Sequence, residues 1–136
     1  MGREAARALV AAYFDAFNAG DGACMLALVS DDVAHHVNQG EVRQGREAFA
    51  AFCAHMGVSY REVLRDMVIF VNEDGTRAAA EFTVHGEYLQ TDPGLPEARG
   101  QRYVLPAGSF FTLRDGKIAR VATHYNLADW IAQVSV

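Results

Sequence analysis

The second half of the chain has the pattern of four β-strands in series, and this pattern restricts the fold more than any other feature. The four segments are rich in β-branched and aromatic residues and cover residues 60–71, 77–89, 101–114 and 117–126. Asn72-Glu73-Asp74-Gly75 separates the first two segments and Asp115-Gly116 the last two, and both are typical hairpin turns. A loop over 90–100 with two prolines and two glycines connects the middle pair. We therefore predict an antiparallel meander of four strands.

The first half has helical periodicity instead. Leu9, Tyr13 and Phe17 recur at helical spacing, and Gly20 ends that segment. The predicted elements are helices over 3–19, 21–29 and 46–56, a strand over 33–37, a loop over 40–45 and terminal helical turns over 127–134. Helices followed by a meander predict an α+β fold, with a curved antiparallel (mixed) sheet of about five strands against three N-terminal helices. The length of 136 residues predicts a single domain over 1–136.

Charge and composition narrow the partners and the setting. The net charge is −5 and no basic patch is present, so neither nucleic acid nor an anionic membrane is an expected partner. No apolar run is long enough to span a bilayer, and the charged start predicts no signal peptide. Cys24 and Cys53 lie far apart in the sequence, so we expect two buried, reduced thiols and a cytoplasmic location.

The order of short motifs along nearly the whole chain resembles the nuclear transport factor 2-like superfamily, in its ketosteroid isomerase-like and SnoaL-like branch. The motifs are Tyr13 with Asn18-Ala19-Gly20-Asp21, Asp31-Asp32, Gly45-Arg46-Glu47-Ala48-Phe49, His85-Gly86, Gly116-Lys117-Ile118 and His124-Tyr125-Asn126. Segments 91–111 and 124–130 are similar to a subgroup called ketosteroid isomerase-related. The resemblance implies a cone that encloses a deep apolar pocket, and dimerisation through the outer face of the sheet.

The resemblance also implies a mechanism to test. In ketosteroid isomerase an Asp moves a proton next to a carbonyl, while a Tyr and a protonated Asp hydrogen-bond the enolate oxygen. Matched to this sequence, the Tyr falls on Tyr13, the base on Val37 and the protonated Asp on Gly108. Valine cannot take a proton, and losing one oxyanion donor costs about 10²–10³ in rate. Genuine steroid isomerase activity is therefore not expected.

His35 offers a substitute base. On a strand, His35 shares a face with Val37, and free imidazole has a pKa of about 6.5. We predict Tyr13 and His35 as catalytic residues, with Tyr13 as the donor to a substrate oxygen. The alternative is ordinary packing of both side chains, and a bulge after Asp32 would turn His36 inward instead.

Further polar and aromatic side chains fall at strand ends and in the terminal segment. Those predicted to bind substrate are Asn38, Tyr60, Tyr88, Tyr103, His124, Asn126 and Trp130. Loop 90–100 is either a lid or a polar connection. Neither a metal nor another cofactor is expected, because His35 and His36 point to opposite faces and no carboxylate or thiol spacing supports a site.

Three functions remain open at this stage. The first is an enzyme that isomerises, cyclises or hydrates a small apolar carbonyl compound, polyketide-like or steroid-like, by acid–base chemistry. The second is a ligand-binding protein without turnover. The third is a protein-interaction module that uses the outer sheet face, and a homodimer through that face is compatible with all three.

Overall fold

The structure, a computed structural model, describes residues 2–136. Over that range it has an α+β architecture of four helices and six strands. The helices are α1 (Arg3–Asn18), α2 (Gly22–Leu28), α3 (Arg46–Ser59) and α4 (Leu127–Val134). The strands are β1 (Val29–Val37), β2 (Arg43–Gln44), β3 (Tyr60–Val71), β4 (Arg77–Tyr88), β5 (Gln101–Arg114) and β6 (Lys117–Tyr125).

All six strands belong to one open sheet in the order β2-β1-β6-β5-β4-β3. The pairing of β1 with β6 is parallel and the other pairings are antiparallel, so the sheet is mixed. The predicted meander corresponds to β3 through β6, and the prediction of an α+β fold with a mixed sheet is confirmed. Helix α1 packs on β3, α3 on β1 and β3, and α4 on β5.

Strict alternation along β4 gives the sheet two distinct faces. Phe82 and Val84 are buried under the helices, whereas Glu81 and His85 point to solvent. We call these the inner face and the outer face. Tyr13 of α1 packs edge-on against Phe111 of β5 with ring centroids 5.7 Å apart, so α1 and the inner face share one aromatic core.

Helix α1 also satisfies the free edge of β3. The Asn18 amide pairs with the Leu64 backbone, donating from Nδ2 to the carbonyl at 3.0 Å and accepting the N–H at Oδ1 at 2.8 Å. Arg7 donates to the Ile69 carbonyl at 2.7 Å. These side chains satisfy backbone groups of β3 that no neighbouring strand pairs with at the edge of the sheet.

Four details differ from the sequence prediction. Strand β1 begins at Val29 rather than at residue 33, because its pairing with β6 continues past a register shift between Val29 and Ala34. Strand β2 falls in the predicted loop 40–45, and α3 continues to Ser59. Cys24 is exposed and Cys53 only half-buried, so the prediction of two buried thiols is wrong. Within residues 2–136 no helix is both long and apolar enough to cross a membrane.

Candidate functional site

Tyr13 and His35 lie on two sides of the same phenylalanine inside the fold. Their exposed fractions are 5% and 4%. Their ring centroids are 6.4 Å and 5.3 Å from that of Phe49 on α3. His36 is only partly buried, and its side chain points to the opposite face of the strand. His35 is therefore the imidazole that faces the interior.

The environment fixes the protonation of both groups. Burial, followed by the positive charges of Arg43 and His36, lowers the pKa of His35 to about 4. Burial and the neighbouring Cys53 raise the pKa of the Tyr13 phenol. At neutral pH the imidazole is therefore neutral and only weakly basic, and the phenol keeps its proton for donation.

Four of the residues predicted to bind substrate come together as an aromatic cluster, which consists of Tyr60, Tyr88, Tyr103 and Trp130. Tyr60 and Tyr88 are cross-strand partners whose rings stack at 5.4 Å. Trp130 of α4 lies 5.0 Å from Tyr88 and 5.8 Å from Tyr103, measured between ring centroids. Helix α4 thus places its indole over the ends of β3, β4 and β5.

The sequence reasoning missed the carboxyl group beside this cluster. Glu62 lies on the inner face of β3, and its Oε2 accepts a hydrogen bond from the Tyr103 hydroxyl at 2.5 Å. Burial raises the pKa of Glu62, and the Tyr103 hydrogen bond opposes that rise. The alternation of residues along β3 could have revealed Glu62. Tyr60, Glu62 and Leu64 share one face of the strand, and a single charged residue among apolar neighbours there is unusual.

A glycine makes the contact between Tyr103 and Glu62 possible. Glu62, Gly86 and Tyr103 form one row across β3, β4 and β5. The Tyr103 ring lies directly over Gly86, where a Cβ atom would come within 2.3 Å of the ring carbons Cε2 and Cζ. Only a residue without a side chain allows the ring to lie flat enough to reach the carboxyl group.

The loop after β4 is bound to the aromatic cluster through Asp92. The Tyr60 hydroxyl donates to Asp92 Oδ2 at 2.7 Å, and His55 Nε2 lies 3.1 Å from the same oxygen. The Tyr88 hydroxyl donates to the Pro96 carbonyl at 2.6 Å and accepts the Asp92 N–H at 2.9 Å. Loop 90–100 is therefore hydrogen-bonded to the cluster and places a second carboxylate beside it.

Two of the predicted binding residues hold backbone instead. The Asn38 side-chain oxygen accepts the Tyr125 N–H at 2.8 Å and links the end of β1 to β6. The Asn126 side-chain oxygen accepts the Asp129 N–H at 3.0 Å and caps α4. The oxygen of each amide is thus engaged by main chain.

His124 was predicted at the pocket mouth, but it is exposed on the outer face. Its ring centroid is 5.8 Å from that of Phe110, which is also exposed. The physical reason is the alternation of β6, since Thr123 points inward to Ser109. Gly108 pairs with His124 and belongs to the same outward row, so a side chain at that position would not face the interior.

The two best-defined clefts among residues 2–136 lie outside the cone. One of about 330 Å³ is lined by charged side chains that include Asp31, Asp32 and Arg114. The other, of about 360 Å³, lies on the outer face beside Phe70 and Phe110. The described residues contain no group of three His, Cys, Asp or Glu side chains placed to hold a metal ion.

The arrangement of the helices and the open mixed sheet corresponds to the cone-shaped nuclear transport factor 2-like fold. An NTF2-like protein from Burkholderia xenovorans LB400 shares this fold with a TM-score of 0.79 at 14% identity, covering 98% of both chains. Residues 10–121 match the model of the SnoaL-like domain, and the chain belongs to this family.

Two solved bacterial structures are much more similar in sequence. The one from Silicibacter sp. TM1040 is 64% identical, with a TM-score of 0.95 over 100% of this chain and 99% of its own. The one from Xanthomonas campestris pv. campestris is 56% identical, with a TM-score of 0.95 over 98% and 99%. Each is called a "putative polyketide cyclase". None of the curated proteins matches the chain.

Proposed function

We propose that this chain is a cofactor-independent enzyme of the cyclase or isomerase type that moves protons on a small, mostly apolar carbonyl compound, polyketide-like or steroid-like. The observation that carries the proposal is the partly buried Glu62 carboxyl on the inner face, hydrogen-bonded by Tyr103. The names of the two relatives described above, each more than 50% identical, support it. Steroid isomerisation is not proposed, because valine occupies position 37 where that reaction has its base.

Glu62 is the proton-transfer group in this proposal. Burial raises the pKa of Glu62 towards neutral pH. A group whose pKa lies near the working pH can both accept and return a proton. The Tyr103 hydroxyl orients the carboxyl, and the aromatic cluster supplies an apolar wall.

Tyr13 keeps the predicted role of donor to the substrate oxygen. Its burial holds the phenol in the protonated form that donates. His35, with a pKa of about 4, is a weaker base than the sequence suggested and is assigned to substrate binding.

Hydrogen–deuterium exchange tests the proton transfer without knowledge of the natural substrate. The probe is 2-tetralone, an apolar ketone with acidic α-hydrogens, followed in D₂O by proton NMR. We expect the wild-type protein to accelerate exchange and Glu62→Gln to lose about 10²–10⁴ of that acceleration. Glu81→Gln is the matched control, since Glu81 is exposed on the outer face.

Two results would overturn the proposal: no acceleration by the wild-type protein, or equal rates for wild type and Glu62→Gln. The second candidate is a ligand-binding protein without turnover. The packed rings of the aromatic cluster favour it, because they offer an apolar surface to a ligand whether or not Glu62 transfers a proton. Saturable binding of 2-tetralone without exchange would identify this second function.

We also propose a homodimer through the outer face, in a cytoplasmic setting and with one domain per chain. Val68, Phe70, Val104 and Phe110 expose between 46% and 56% of their surface on that face. Light scattering after gel filtration should give a dimer for the wild type and a monomer for Phe110→Glu. Val42→Glu, at an exposed valine in the loop before β2, should remain dimeric. A wild-type monomer would refute this assembly.

A further inference from the structure

Two polar side chains at the β1–β2 edge lack partners. Among residues 2–136, His35 Nδ1 and Arg43 Nη1 are buried nitrogen atoms without a hydrogen-bond partner. Buried polar groups are almost always paired, so a pair of orphans at one place needs an explanation.

The two orphans are direct neighbours. His35 and Arg43 are cross-strand partners in the β1–β2 ladder, and side chains opposite each other on such a pair point to the same face. Both contact Phe52 of α3: the His35 ring centroid lies 4.5 Å from the Phe52 centroid, and Arg43 Cζ lies 4.6 Å from it. The imidazole and the guanidinium therefore meet around one aromatic ring.

The side chains of His35, Arg43 and Phe52 together have the chemistry to bind an organic anion that carries a ring. A guanidinium is permanently charged and binds carboxylate oxygens strongly, and a neutral imidazole adds one further hydrogen bond. None of the four salt bridges found among residues 2–136 involves Arg43, so its charge has no carboxylate partner in the described part of the chain. Phe52 is only partly buried beside both side chains and offers an apolar surface for a ring.

We propose that Arg43 and His35 bind the carboxylate of a ring-containing organic acid, with the ring against Phe52. Arg43 and Phe52 are only partly buried, so this group is open to a ligand from the rim of the fold. The inference deepens the proposed function by giving the substrate an acidic group. Its test requires binding alone.

The probe is benzoate, with benzamide as its uncharged analogue, and binding is measured by calorimetry and by NMR of the His35 ring. Benzoate lacks an α-hydrogen, so failure of the ketone exchange does not affect this test. We expect benzoate to bind at least about tenfold more tightly than benzamide, as befits a charge-assisted contact. We also expect the His35 pKa to rise on saturation with benzoate, because an anion offsets the charge of Arg43.

Arg43→Gln should remove the preference for benzoate, and Arg65→Gln, at an exposed arginine on β3, should retain it. If Arg43→Gln does not fold, as judged by circular dichroism, the His35 titration of the wild-type protein decides. Equal binding of benzoate and benzamide, no binding of either, or an unchanged His35 pKa would overturn the proposal. Retention of the preference in a folded Arg43→Gln would do the same.

Discussion

Replacing Gly86 with alanine should disrupt the contact on which the proposed chemistry depends. The new Cβ would lie 2.3 Å from Tyr103 Cε2 and Cζ and 2.5 Å from its hydroxyl oxygen, closer than van der Waals contact allows. The φ angle of Gly86 is not in the left-handed region, so the effect comes from this collision and not from the backbone. The Tyr103 ring must swing away, which breaks its hydrogen bond to Glu62 and its packing on Trp130.

The cost can be estimated from these two losses. Overpacking a well-packed site typically costs about 1–3 kcal/mol. The lost hydrogen bond adds about 1 kcal/mol, because the Glu62 carboxyl stays partly buried. We therefore expect Gly86→Ala to lower the free energy of unfolding by about 2–4 kcal/mol, a large fraction of the ~5–15 kcal/mol typical of a domain.

Urea unfolding followed by circular dichroism measures this loss. Tyr103→Leu removes the ring, so the double variant should lose about 1–3 kcal/mol less than the sum of the two single variants. Gly57→Ala is the control with opposite sign: Gly57 lies in α3 with open space around its Cα, and alanine there should stabilise by up to about 1 kcal/mol. Additive single variants, or a loss below about 0.5 kcal/mol for Gly86→Ala, would refute the reasoning.

Three further predictions concern stability. His35 has a pKa of about 4 in the folded protein against 6.5 when free, so as the pH falls the unfolded chain binds the proton first. The free energy of unfolding of the wild type therefore decreases as the pH drops from 6.5 to 4. His35→Gln should remove up to about 3 kcal/mol of that decrease, measured by urea unfolding at each pH. The pKa of Glu62 is raised in the fold, so its ionisation destabilises the protein as pH rises, and Glu62→Gln should melt at a higher temperature than wild type at pH 8 but not at pH 4. Asn18→Ala removes two hydrogen bonds to the Leu64 backbone and should cost about 1–3 kcal/mol in urea unfolding, whereas Gln90→Ala, at an exposed side chain, should cost less.

Most of the fold was predictable because its signals are local. Period-two segments and the turn Asp115-Gly116 defined the meander, and Gly20 with Asp21 separated α1 from α2. Strand β2 was missed because it has only two residues, too few to show the alternation of polar and apolar residues that marks a strand. The start of β1 was missed because Ser30, Asp31 and Asp32 resemble a polar break. In the structure they fall in the register shift between the pairing of Val29 and that of Ala34 with β6.

The site was less predictable because it depends on which sequence-distant side chains meet. The aromatic cluster contains Tyr60, Tyr88 and Trp130, which the sequence analysis singled out because large aromatics at strand ends are visible in the sequence. Glu62 was missed because a single carboxylate in a strand is usually exposed, and its burial depends on Tyr103 from β5. Arg43 gained significance only from its pairing with His35 across a strand too short to predict.

The bonds from α1 to the rim of β3 also bear on how copies of this protein stay apart. An exposed edge strand presents unpaired backbone N–H and C=O groups, and another chain can pair with them and extend the sheet. Here Asn18 and Arg7 occupy the carbonyls that such a newcomer would need. Unfolding of α1 would therefore free these carbonyls for edge-to-edge pairing with another chain.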